Sequence, residues 1–380
     1  MTQQECKELW EYAVAMRRKM HEYPEVGFDL ERTVQLVKTE LEAMQIPCTE
    51  AYGKGSVVAE LGSGDRTIAL RADMDALPVQ EKTDLPYCSK IDGQMHACGH
   101  DSHAGVLLAV AKYLKSRENE LPCRVRLIFQ PSEEGAISGA KMMVDNGVMD
   151  GVDHILCTHC DNQVELGAIG LCYGDYMAAC VPLTIRFYGV SAHAALPEGG
   201  IDAIAMAAQA YTELKETVKQ EAGDAAYIWS VGKFSGGHVH NVIADYCQMD
   251  ISYRFYDLAF AERMRERTFA ICQRIAGEFG GRVEIDWEMS TSVVHNDRAI
   301  SSAFEKAVRA AGLPMTELKP RKTSEDFGWY LTKAPGVIFR FGTRNEALGC
   351  TALAHRSDFK IDETGMKSAI QAFVAYVMQA

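Results

Sequence analysis

No apolar run in the chain approaches the length needed to span a bilayer as a helix. The first twenty residues, MTQQECKELWEYAVAMRRKM, mix charges throughout and hold no apolar core of signal-peptide length. The expected location is therefore the cytoplasm, with no membrane partner. Positive charge is also scarce: 39 Lys and Arg stand against 52 Asp and Glu, for a net charge of -13. No basic cluster of the kind a phosphate backbone requires is present, which excludes a nucleic-acid groove and leaves small molecules or peptides as partners. Internal repeats and low-complexity segments are missing as well. The twelve cysteines lack the spacing of a small stapled scaffold, and Cys157 and Cys160, in CTHC, have no second pair at zinc-ribbon spacing. Most cysteines therefore read as small buried hydrophobes in a reducing compartment.

What remains is an ordinary globular composition, 47% hydrophobic and 24% charged, in a 380-residue chain long enough for about two domains. Helical periodicity marks 29–45, 103–117 and 363–379. The β-rich runs SVVAEL, TIALRA, CRVRLIFQ and DHILCTH lie between them, and this alternation predicts an α/β layer with a mostly parallel sheet. The rhythm changes from about 175 to 288, where VPLTIRFYG, a helix at 201–220, YIWSVGKFSGG, YCQMDISYRFYD, a helix at 259–280 and RVEIDWEMS follow one another. Two such β-α-β halves predict an inserted ferredoxin-like α+β domain at 175–290 within a discontinuous first domain, 1–174 and 291–380. GSGDR at 62–66 lacks phosphate-loop spacing and reads as a hairpin turn.

Three of the eleven histidines, with a cysteine and an aspartate, crowd into HACGHDSH at 96–103. Imidazole and thiolate are the ligands a borderline-soft divalent ion prefers. If Cys98 and His100 bind metal, further ligands must come from elsewhere, and Glu133, Glu134, His159 and His355 are the candidates. TIALRA runs into Asp73 and Asp75, CRVRLIFQ into PSEEG, and DHILCT into His159. Three strands would thus deliver acids and imidazole to one sheet edge, where open α/β sheets place their ligands. Adjacent carboxylates on a turn point in different directions, so one of Glu133 and Glu134 can ligate while the other serves as a base. His96 and His103 read as hydrogen-bond partners of ligands. Asp73 and Asp75 read either that way or as a plain loop start, and the isolated His154 and His295 as surface or core groups. The competing chemistry on the same residues is a cysteine hydrolase with Cys98 as nucleophile, whose activity would survive chelation.

The segments RRKMHEYPEVGFDLERT (17–33), LRADMDALPVQE (70–81), MHACGHDSHAG (95–105), QPSEEG (130–135), GVSAHAALPEGGIDAI (189–204), GGHVHNVIAD (236–245), SEDFGWY (324–330) and AHRSDFKIDE (354–363) occur in this order. Together they resemble the amidohydrolase branch of the aminoacylase and carboxypeptidase metallohydrolases, which includes hippurate hydrolase and the indole-acetyl-amino-acid hydrolases. The resemblance implies a dinuclear metallohydrolase domain whose inserted lid also forms a dimer interface. It implies metal ligands at Cys98, His100, Glu134, His159 and His355, and a general base at Glu133. His193 would reach the partner subunit's active site, and Asn241 and Arg254 would grip the substrate near its carboxylate. The implied reaction is hydrolysis of the amide bond of N-acyl amino acids, with a dipeptidase or carboxypeptidase as the alternative. Two divalent ions per subunit are implied, zinc first because Cys98 is a soft ligand, manganese second. Three positions depart from the pattern: Ala244 stands where proline is usual, ISYR replaces GTIR, and HRSDF replaces the usual His-Ser-Pro.

Overall fold

A strand buried on both faces is mostly apolar, and every position of the run TIALRAD, Thr67–Asp73, is buried, with Arg71 and Asp73 as its charged exceptions. In the computed structural model, which describes all 380 residues, this strand lies near the middle of an eight-stranded sheet. The order is Cys48–Thr49, Val57–Leu61, Arg124–Gln130, Thr67–Asp73, His154–Glu165, Gly336–Arg344, Ile169–Leu171 and Met315–Glu317. The four central strands run parallel to one another, as does the outer pair Ile169–Leu171 and Met315–Glu317. The remaining three pairings are antiparallel, so the expected mostly parallel sheet is found. Helices Gln3–His21, His100–Ser116, Arg298–Ala310 and Met366–Val377 share one core with the strands.

This compact unit comprises Met1–Tyr176, Val294–Pro320 and Asp326–Ala380. A second comprises Met177–Val293 with Arg321–Glu325. The return of Arg321–Glu325 to the second unit is a detail that the alternation of helices and strands does not signal. Within that unit an antiparallel sheet has the order Arg282–Asp286, Ala179–Tyr188, Tyr246–Phe255, Tyr227–Gly236. Helices Ala203–Ala222 and Leu258–Phe279 pack on it, each started by an aspartate, Asp202 or Asp257, that accepts two backbone N–H bonds. Burial alternates along Ala179–Tyr188, as expected of a sheet with one covered face, and the unit has its own core. The connectivity is the β-α-β-β-α-β of a ferredoxin-like unit. No helix of the protein is long and apolar enough to cross a membrane.

Two of the element boundaries that differ from expectation bear on the site. The helix expected at 103–117 begins at His100, because Gly99 takes the left-handed conformation (φ 85°) and turns the chain directly into it. The strand expected to end before His159 continues to Glu165, so His159 projects from within a strand.

Candidate metal centre

Each candidate side chain is delivered by a strand end or a helix start. Asp73 closes the strand Thr67–Asp73, and Asp75 follows two residues later. The Asp75 carboxylate accepts the backbone N–H groups of Glu133 (3.0 Å) and Glu134 (3.1 Å), tying the loop after the neighbouring strand Arg124–Gln130 to this edge. Cys98 and His100 flank Gly99, where a side chain would collide with Cys160 Sγ. Replacing Gly99 by Ala is therefore expected to cost about 2 kcal/mol or more of stability, from the left-handed backbone and the overpacking together. Thermal unfolding checks this, and an unchanged Tm would contradict it.

These elements converge. Cys98, His100 and His159 offer ligand atoms within 4.8 Å of one another, as do Cys98, Glu134 and His355, and His100, Glu133 and Glu134. Cys98 belongs to two of these trios, so all six residues form one contiguous cluster. Cys98 Sγ lies 3.3 Å from His159 Nε2, and His355 Nε2 lies 2.9 Å from Glu134 Oε1. His100 Nε2 faces Glu133 Oε2 at 3.9 Å and Glu134 Oε1 at 4.0 Å. His159 Nδ1 donates to the Cys160 carbonyl at 2.7 Å, which leaves Nε2 as a lone pair aimed at the cluster.

The polar atoms at the centre are poorly served by protein partners. Both ring nitrogens of His100 and Glu134 Oε1 are buried without a hydrogen bond, the Glu134–His355 approach being close but not of hydrogen-bonding geometry. Buried polar atoms left this way are costly unless something else satisfies them. Protonation in the cluster follows from the same crowding. Burial pulls the His100 imidazole down, but the carboxylates of Asp73, Asp75 and Glu134 outweigh it and hold the pKa at about 10. Burial raises the Cys98 thiol well above its usual range, and the charges of Glu134 and Glu133 raise it further. Burial and the Arg340 charge push His159 well below the ordinary histidine range. Glu134 is raised by burial yet held below the usual range by His355 and His100. The His100 imidazolium thus supplies the positive charge that the carboxylates demand. A divalent cation would take over that role, with release of protons from His100 and Cys98. The donor set therefore fits a metal: thiol, imidazoles and carboxylates with unsatisfied buried atoms.

His103 has a different part. Its Nδ1 contacts Asp73 Oδ1 at 2.6 Å and its Nε2 accepts the Cys160 N–H at 2.9 Å, so both nitrogens are used within the protein. His96 is fully buried with neither nitrogen hydrogen-bonded, and burial lowers its pKa to about 3. Sequence reasoning gave no role to two buried charged groups, Arg71 and Asp101. Arg71, entirely buried in its strand, contacts Asp73 (2.7 Å) and Asp326 (2.8 Å). Asp101 pairs with His21 Nδ1 at 2.7 Å and Arg17 Nε at 3.2 Å. A charged residue inside an otherwise apolar strand, LRAD, was the available signal for the first.

The three remaining candidates lie in the second unit. His193 and Asn241 sit on neighbouring loops: His193 bridges Val242, and the Ala194 N–H donates to the Asn241 carbonyl at 3.0 Å. Arg254 is near the far end of the strand Tyr246–Phe255, opposite Cys180 and Ile228, and donates from Nη1 to the Lys322 carbonyl at 2.9 Å. The strand rises roughly 26 Å between Tyr246 and Arg254. Within one subunit, His193 and Asn241 are brought together and Arg254 is kept away from both.

The chain matches the sequence profile of Peptidase family M20/M25/M40 over residues 69–379. It belongs to that family. This M20 protein is 35% identical to the N-acetyl-L-cysteine deacetylase of Bacillus subtilis (strain 168) over 94% of its own length and 85% of the relative's. It is 34% identical to the IAA-amino acid hydrolase ILR1-like 4 of Arabidopsis thaliana, covering 94% and 82% of the two chains. Among solved structures it superposes on the Bacillus subtilis YXEP protein, a dinuclear metal-binding peptidase of family M20, with a TM-score of 0.84 at 31% identity, covering 98% of each chain. The M20 protein is accordingly a metal-dependent amidohydrolase with the α/β fold of that family.

Proposed function

We infer that the protein hydrolyses the amide bond of N-acyl amino acids, releasing a carboxylic acid and a free amino acid. The observation that carries this reading is the position of Glu133. Its carboxylate stands beside a buried thiol, imidazole and carboxylate cluster in a chain related to an N-acetyl-L-cysteine deacetylase and an IAA-amino acid hydrolase. Two divalent ions would be held by Cys98, His100, Glu134, His159 and His355, zinc before manganese because of the thiolate. Bound there, such ions supply Lewis-acid polarisation of the amide carbonyl and lower the pKa of water toward neutrality.

The chain's own residues do the rest. Glu133 Oε1 accepts the backbone N–H of Asp326 at 3.4 Å, while Oε2 faces the cluster. In this role Glu133 takes the proton of the attacking water and passes it to the departing amine nitrogen, serving both steps of the hydrolysis. Asp75 fixes the loop that presents both glutamates. Cys98 is ill suited to be a nucleophile, because burial and the two neighbouring carboxylates hold its thiol protonated.

In this reading the catalytic domain is the discontinuous one and the inserted domain is a lid through which two copies pair. Support comes from the strand Tyr227–Gly236, which lies at the edge of its sheet and is mostly exposed, with Phe234, Val239 and Val242 also exposed nearby. An uncovered edge strand with exposed apolar residues favours pairing with another strand. His193 and Asn241 would then serve the partner subunit's site together, His193 as a donor to the carbonyl oxygen, with Arg254 serving separately. All twelve cysteines are free thiols, which supports the cytoplasm as its location.

The reaction class is tested by free-amine release from N-acetyl, N-benzoyl and indole-acetyl amino acids and from dipeptides, using chelator-stripped protein with and without Zn²⁺ or Mn²⁺. Turnover is expected to vanish on stripping and to return with metal. Activity that survives stripping would overturn the metal assignment, and turnover of dipeptides alone would select the peptidase alternative.

A further inference from the structure

Below Glu133 lies a carboxylate that the reaction as described does not use. Asp326 is completely buried. Its Oδ1 accepts from Arg71 Nη2 at 2.8 Å and Gln130 Nε2 at 3.0 Å. Its Oδ2 accepts from Ser138 Oγ at 2.7 Å, Gln130 Nε2 at 2.9 Å and the Ala140 N–H at 3.1 Å. The donors come from two parallel strands and from the start of the helix Gly139–Asp145, on either side of the loop that carries Glu133 and Glu134. The backbone N–H of the same residue is the group that reaches Glu133 Oε1.

A buried ion pair is weak support for stability, since apolar packing of the same volume usually does as well. What five hydrogen bonds on one carboxylate achieve is a fixed location for its backbone. We propose that Asp326 is a positioning residue for Glu133: its anchored side chain holds its own N–H against Glu133 Oε1 and so turns Oε2 toward the metal cluster. Arg71 extends the frame. It holds Asp326 with one nitrogen and Asp73 with another, and Asp73 in turn contacts His103. The orientation of the base and the placement of the cluster are thereby set by one buried network. The proposal rests on Glu133 being the general base.

The test compares Asp326→Asn and Ser138→Ala, each alone and combined with Glu133→Ala, by kcat, KM and bound metal per subunit. Asp326→Asn keeps the side-chain shape but weakens the anchor. It is expected to lower kcat about 10- to 100-fold, as a misplaced base does, with KM within about twofold of wild type and metal content unchanged. In the Glu133→Ala background it should add no further loss. Ser138→Ala removes one of the five bonds on the carboxylate, together with the cap on the Lys141 N–H, and leaves the Arg71 pair, so it reports on the same question even if Asp326→Asn fails to fold. A several-fold drop in kcat, again absent without Glu133, is expected. Unchanged kcat in both single variants, equal losses with and without Glu133, or losses that track lost metal would overturn the proposal. Full activity of Glu133→Ala would instead show that the base assignment itself is wrong.

Discussion

Replacing Glu133 by Gln is expected to lower kcat by about 10²- to 10⁴-fold, the range that positioned proton transfer contributes, while both metal ions remain bound. The substitution keeps the side-chain shape and an oxygen able to accept the Asp326 N–H, and removes only the capacity to take a proton. The five residues assigned to the metals are untouched, so metal content separates this variant from Glu134→Gln, which should lose metal as well as turnover. The reason for the contrast is positional. Glu134 lies 2.9 Å from His355 and offers a ligand atom to the trio with Cys98 and His355, whereas Glu133 offers one to the trio with His100 and Glu134. Steady-state kinetics on an N-acyl amino acid with parallel metal analysis checks the prediction. Retained turnover in Glu133→Gln would remove it from the mechanism, and loss of metal there would make it a ligand instead.

The second large effect concerns His193. Its Nδ1 accepts the Ala195 N–H at 3.1 Å, and the residue is exposed on a loop of the inserted unit. If it stabilises charge on the carbonyl oxygen from across a dimer, His193→Ala should cost about 10²- to 10³-fold in kcat, the usual consequence of removing one such donor. Glu133→Ala should lose about 10²- to 10⁴-fold for its own reason. Mixing the two variants should restore activity, because a mixed dimer has one site with its own Glu133 and the partner's intact His193. Random 1:1 exchange makes half of the dimers mixed, each with one complete site of two, so roughly a quarter of wild-type activity is expected. No recovery after demonstrated subunit exchange would place His193 in its own subunit's chemistry or outside it. Because Asn241 lies beside His193, before the start of the strand Tyr246–Phe255, and Arg254 lies near that strand's far end, Asn241→Ala should complement in the same pattern as His193→Ala, and Arg254→Ala in the opposite one.

The parts of this protein that depend on local periodicity and local crowding were legible in its residues. Alternating helices and β-rich runs were enough for the mostly parallel sheet and for the β-α-β-β-α-β insertion, because side-chain period and turn chemistry act over a few residues. HACGHDSH marked the candidate metal cluster because donor atoms of the right kind are close in sequence as well as in space. Even there the helix start was misplaced by three residues, since only the left-handed backbone of Gly99 shows where the turn falls.

Which distant segments become neighbours is visible only in the folded chain. Asp326 reaches the Glu133 loop across 193 residues of sequence, and Arg71 reaches Asp326 across 255. Neither contact has a local signature, because both depend on which strands lie side by side in the sheet. The separation of Asn241 from Arg254 has the same origin: thirteen residues apart in sequence, they are divided by the length of one strand. An extended strand converts sequence separation into distance, whereas sheet pairing abolishes it. Which of the two applies is set by the packing of the whole chain.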